Sequence, residues 1–167
     1  MNNSFSLSTL DANIKRLLTL FIIVLSIGVA IGLIYLSTTA GTKFSGIEEH
    51  YKGSPVKDEF DIPAKYPKTI NNLLLTTHNH LLSLSMIFLC IGFIFSMSTF
   101  MNGKLKWFLI YEPFISILLT FGGIWGIRFI NSNFLWIVSI SGTLMYICYF
   151  IMTIICLWEL NQTNPNK

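Results

Sequence analysis

Three histidines carry most of the chemistry this sequence could hold. His78 and His80 stand two residues apart in LLLTTHNHLLSLS (residues 73–85), just inside the start of a long apolar segment, and His50 precedes it in EEHYKG. Neutral imidazole is a ligand for zinc, copper and haem iron. The expected site therefore draws on His50, His78 and His80, with haem b or a transition metal as the cofactor. A haem would take His50 opposite His78, or a methionine such as Met145, since His/Met ligation occurs. A three-histidine metal site would need the first turn of the segment to open. In a regular helix, residues two apart point about 200° apart, so His78 and His80 cannot both reach one ion. The competing expectation is that the histidines serve helix contacts as polar packing groups.

The elements that position them are membrane helices. The 167 residues are 53% hydrophobic and only 11% charged, against about a quarter charged in ordinary soluble domains. A span needs about 20 apolar residues to cross about 30 Å of hydrocarbon. Residues 17–36, 73–100, 107–127 and 134–158 meet that length, with Glu112 the one acid among them. The expected fold is all-α, a single integral membrane bundle of four transmembrane helices over 1–167 with a long outer loop, 37–72. Lys15-Arg16 before the first run imitates a secretory signal, but signal cores run about 7–15 residues, so the run reads as a retained anchor. The net charge of +3 comes with no basic, aromatic-interleaved cluster, and nucleic acid is not an expected partner. Cys90, Cys148 and Cys156 all fall in apolar runs and read as packing residues.

Orientation follows from the short flanks. Lys15, Arg16, Lys104 and Lys106 lie on one side and Arg128 alone fills the short loop on the other. The positive-inside rule then places both termini in the cytoplasm. The five lysines of the outer loop are matched by five acids. Trp107 and Trp158 fall at the cytoplasmic ends and Trp125 and Trp136 at the outer ends, as interfacial indoles should. The loop's Phe44, Ile47, Phe60 and Ile62 are expected to pack it against the bundle.

Packing signals are of the small-residue kind. Gly28–Gly32 and Gly122–Gly126 are GxxxG patterns, which let helix backbones approach closely in lipid. His78, Ser85, Gly92 and Thr99 recur every seven residues, which predicts that His78 points into the bundle and outranks His80. Pro113 biases Glu112 away from helix, so residues 107–111 are expected along the interface, leaving the Glu112 carboxylate at the boundary. An intramembrane acid with proton or quinone chemistry is the alternative.

GIEEHYKG (46–53), LLLTTHNHLLSLS (73–85) and FGGIWGIRF (121–129) together resemble a set of small uncharacterised four-span bacterial membrane proteins. Their pattern is GI-x-x-HY-x-G, then H-x-H opening a span, then a glycine-rich third span ending in a basic residue. The resemblance marks His50, Tyr51, Gly53, His78 and His80 as a set but implies no reaction.

The functions to be weighed are therefore three. One is a membrane subunit of an electron-transfer or respiratory assembly, holding haem or metal. The second is a cofactor-free structural or assembly subunit, partnered by other membrane subunits or by itself. A stand-alone enzyme or transporter ranks last, because no nucleophile–base pair, phosphate loop or acid pair is visible.

Overall fold

The computed structural model describes residues 6–39, 44–55 and 62–162, and among these every regular element is helical. A short 3-10 turn, Leu7–Thr9, precedes α1 (Ala12–Thr39). The chain continues through α2 (Phe44–Lys52), α3 (Ile70–Ser96), α4 (Lys104–Phe129) and α5 (Phe134–Leu160). Helices α1, α3, α4 and α5 are long and apolar enough to cross a membrane. A backbone in hydrocarbon must satisfy its own hydrogen bonds, which makes helix the default for these runs. The fold is thus an all-helical four-span bundle. Lys15 Nζ donates to the Gln162 carbonyl at 3.0 Å, so the start of α1 and the end of α5 share one end of it. The α2 helix sits at the other.

The antiparallel hairpin α4–α5 is the most closely packed pair, and α3 lies against both. Interhelical hydroxyl bonds stitch the bundle: Thr120 to Ser141 at 2.7 Å between α4 and α5, and Ser26 to Tyr149 at 3.1 Å between α1 and α5. Tyr149 is fully buried and meets the Phe88 ring edge-on at 6.0 Å. Helix α1 is attached loosely. Only 6% of its most apolar window is buried, against 50% for α4, so it meets α5 along a narrow seam through Ile22 and Val29.

Three boundary expectations change. Helix α1 runs on to Thr39 and α3 starts at Ile70, where the Thr69 hydroxyl caps the Asn72 amide at 3.3 Å. Helix α4 starts at Lys104 and runs unbroken through Pro113. Residues 107–111 therefore continue the same helix rather than forming a separate segment ahead of it. Membrane helices tolerate an internal proline because neighbouring helices and local adjustment satisfy the freed carbonyl. Glu112 is consequently two turns inside the helix and 7% exposed, rather than at the helix start. Third, α3 ends at Ser96, leaving Thr99 in the connecting loop.

The loop between α1 and α3 docks across the α4–α5 turn. The Phe44 ring meets Trp136 at 4.7 Å, the Ser132 hydroxyl donates to Glu48, and Arg128 Nε donates to the Lys68 carbonyl at 3.0 Å. Gly53, at φ +91°, ends α2, and an added Cβ there would lie 2.9 Å from the Pro67 ring. A left-handed, closely approached position of this kind suits glycine alone. Ile62 is 82% exposed and anchors nothing, while Phe60 lies outside the described residues.

Candidate functional site

Helix α3 carries both clustered histidines, and its facing is set by Thr77. Trp125 Nε1 of α4 donates to the Thr77 hydroxyl at 3.0 Å. His78 is one residue further on, about 100° round the helix, and is exposed. His80 is three further on, about 60° the other way, and its ring lies 5.3 Å from that of Phe121 on α4. Its Nδ1 bonds the Thr76 carbonyl at 2.8 Å, the helical i−4 position. The expectation that His78 points into the bundle is corrected by this. A straight helix drifts about 20° per seven residues from a strict heptad, so Gly92 is buried while His78, two heptads earlier, has rotated off the seam.

His50 stands near the end of α2, half-buried, with its ring edge-on to Tyr51 at 4.9 Å. Burial holds its pKa below the ordinary value, and the Lys68 and Lys65 ammonium groups push the same way. The imidazole is therefore neutral near pH 7, the form that ligates metals. Among the described residues, no three His, Cys, Asp or Glu side chains gather in a way that could hold a metal ion. His50, His78 and His80 share one end of the molecule without forming such a group.

The buried acids are more fully built than the histidines. The Ser116 hydroxyl donates to Glu112 Oε1 one turn along α4, while Oε2 is buried without a hydrogen-bond partner among the described residues. Intramembrane acids are costly and point to function or to a specific partner. Glu159, 2% exposed at the end of α5, is the opposite case. It accepts the Thr99 amide at 3.0 Å, the Thr99 hydroxyl at 2.8 Å, the Ser6 hydroxyl at 3.4 Å and the Ser98 hydroxyl. Lys106 Nζ meanwhile donates to the Ser96 and Ser98 carbonyls, 2.7 Å from each, closing the end of α3. Every polar atom of that carboxylate is engaged, so it reads as a clamp on the α3–α4 loop. Sequence reasoning passed over Glu159 because the fourth run was drawn to end at Trp158. The signal was present: an acid one residue beyond an apolar run, with Ser98-Thr99 at the end of another.

Comparison with known families supplies one match. The chain belongs to the Aq_1264_TM family, described as a transmembrane helical domain, whose profile matches residues 41–167. The matched region covers α2 through α5 and leaves α1 outside it. Neither the curated proteins nor the solved structures contain a match.

Proposed function

We propose that this member of the transmembrane helical domain family is a cofactor-free structural or assembly subunit of a membrane complex, docking through α1. The observation that carries the reading is the open glycine face of that helix. A Cβ built on Gly28 or Gly32 meets nothing within 4 Å, and Val24, Ile31 and Tyr35 on the same side are exposed. On α4, by contrast, Gly123 and Gly126 are filled by Val138 and Phe134 of α5. Lipid gains little from a small-residue groove, whereas a second helix can approach its backbone closely. Gly28→Ile combined with Gly32→Ile should reduce association in bilayer nanodiscs at least tenfold, read by cross-linking, and leave thermal unfolding unchanged. A wild-type chain that is monomeric in the bilayer and retains no partner helix through mild extraction would refute this reading.

One observation favours a second reading, the neutral His50. In it the chain is a subunit of an electron-transfer or respiratory assembly and holds haem b or a transition metal through His50, His78 and His80. Their separation in the fold argues for one ligand from this chain and another from a partner subunit. An absorbance spectrum and metal analysis of the purified assembly decide between the readings: cofactor that disappears with His50→Ala or His78→Ala supports the second, and its absence from the intact assembly excludes it.

Under either reading the chain sits in the bacterial inner membrane with both termini cytoplasmic. Lys15, Arg16, Lys104 and Lys106 cluster at the terminal end, which supports this orientation. An impermeant thiol reagent should label Ser54→Cys from outside and spare Asn102→Cys; the reverse pattern overturns the orientation.

A further inference from the structure

Three cations gather where α2 docks on the bundle. Lys65 and Lys68 lie in the segment that leads into α3, and Arg128 stands in the last turn of α4. Arg128 Nε donates to the Lys68 carbonyl at 3.0 Å, which leaves the two terminal guanidinium nitrogens without a partner among the described residues. Backbone bonds fix the frame. Ser54 N donates to the Lys65 carbonyl at 2.9 Å, Lys65 N to the Ser54 hydroxyl at 3.2 Å, and Lys68 N to the Tyr51 carbonyl at 3.1 Å. Residues 65–68 are thus laced to the end of α2, and Arg128 is laced to them. Lys52 is already taken, 3.7 Å from Glu48 and donating to Ser132 at 3.0 Å. Among the described residues, neither Glu48 nor Glu49 of α2 forms an ion pair with Lys65, Lys68 or Arg128. Burial, and then the Lys68 and Lys65 ammonium groups, hold the His50 pKa below its ordinary value, and the second effect is how an imidazole responds to positive charge left unbalanced. Like charges held together repel, so this frame favours an anion among them.

Position selects the kind of anion. Lys68 stands just ahead of the Thr69 cap of α3, and Arg128 is one residue from the end of α4, so both lie where apolar spans stop. Trp125, one turn before Arg128, and Trp136, near the start of α5, are the indoles of this end, and indoles collect at the membrane–water boundary. Exposed apolar groups adjoin the cations. Tyr66 lies between the two lysines, Ile70 opens α3, and the Phe129 ring centre is 5.2 Å from the Arg128 guanidinium carbon. A soluble anion would use the charges and leave those groups in water. A phospholipid uses both, with its phosphate on the cations and its acyl chains beside the apolar groups. Guanidinium nitrogens bind phosphate oxygens in pairs, and juxtamembrane lysine and arginine attract anionic lipid.

We infer that Lys65, Lys68 and Arg128 form a headgroup site for an anionic glycerophospholipid at the junction of α2, α3 and α4. It stands independently of whether α1 docks a partner helix. Native mass spectrometry of the full chain, released from nanodiscs of equal phosphatidylglycerol and phosphatidylcholine, tests it. Wild type should retain phosphatidylglycerol at least tenfold over phosphatidylcholine; no preference overturns the site. The preference should vanish in the triple variant Lys65→Gln, Lys68→Gln, Arg128→Gln. Lys68→Gln alone should lower it at least threefold; it keeps the carbonyl that holds Arg128, which covers the case of a triple variant that fails to fold. Lys104→Gln removes the same charge at the other end of α4 and should change nothing. An equal loss there would trace the preference to net charge and overturn the site. The acids at 58, 59 and 61 lie outside the described residues, and Asp58→Asn, Glu59→Gln, Asp61→Asn together should change the preference less than threefold. A tenfold gain would mean that loop acids fill the site and overturns it. Millimolar inorganic phosphate should not displace the lipid; displacement would make the ligand a soluble anion and overturn the occupant.

Discussion

Glu159→Ala should destabilise the bundle by about 3 kcal/mol, because the carboxylate ties together three separate parts of the chain. Ser6 comes from the N-terminal segment, Ser98 and Thr99 from the α3–α4 loop, and Glu159 itself from the end of α5. Hydrogen bonds to charged groups contribute roughly 1.5–3 kcal/mol, and buried donors stripped of their acceptor cost about 1–3 kcal/mol. The Thr99 amide cannot turn to another acceptor without moving the loop. Its neighbours are pinned: Leu7 N donates to the Met97 carbonyl at 3.2 Å, and Ser98 N to the Phe95 carbonyl at 3.0 Å. Glu159→Gln keeps one carbonyl oxygen and should recover roughly half of the loss. Reversible unfolding in mixed micelles measures both. The clamp is disproved by a Glu159→Ala protein within about 0.5 kcal/mol of wild type, the range of an unremarkable surface change.

Gly126→Ala is expected to be the most damaging glycine-to-alanine change among the described glycines. Its Cβ would stand 2.4 Å from Phe134 Cδ1 and 2.5 Å from Cγ, so the collision is with the root of the ring rather than a movable tip. The ring has little room to withdraw, because the Gly126 carbonyl is held in the turn by the amides of Ile130 at 2.8 Å and Asn131 at 3.0 Å. Overpacking of this sort costs about 1–3 kcal/mol, and more where the backbone must yield. Phe134→Ala added to Gly126→Ala should restore part of the stability, since the second change removes the obstacle. The measurement is a double-mutant cycle on thermal unfolding. Additive losses with no rescue would mean that the ring is not what the methyl group meets. The matching change on α1, Gly28→Ala, enters open space and should leave the isolated chain's stability unchanged.

This contrast shows where sequence patterns stop. Gly28–Gly32 and Gly122–Gly126 are the same motif, and only the fold separates an open face from a filled one. Within α4 the contact uses Gly123 and Gly126, three apart, while Gly122 meets nothing. Close approach depends on which face the neighbouring helix lies against, and spacing along one helix does not contain that information. The heptad through His78 failed for a related reason. Two heptads of drift, about 40°, exceed what a narrow seam tolerates, so the reading held at Gly92 and was lost at His78.

What the sequence determined by itself was the number of spans and the helical class. These follow from run length against hydrocarbon thickness and from the need to satisfy the backbone inside it, both local properties. The indoles near the span ends were legible for the same reason. Tertiary structure alone decided the fates of the buried acids. Glu112, followed by Pro113 inside the third run, and Glu159, just beyond the fourth, are each a single carboxyl near the end of an apolar run, and their flanks do not say which partners reach them. In the fold, Glu159 meets Ser98, Thr99 and Ser6 across gaps of 60 to 153 residues and is saturated. Glu112 takes one hydroxyl, from Ser116, and its second oxygen is buried without a hydrogen-bond partner among the described residues. A polar group in hydrocarbon takes its role from the partners that other helices bring to it, and those partners are set by how the helices pack.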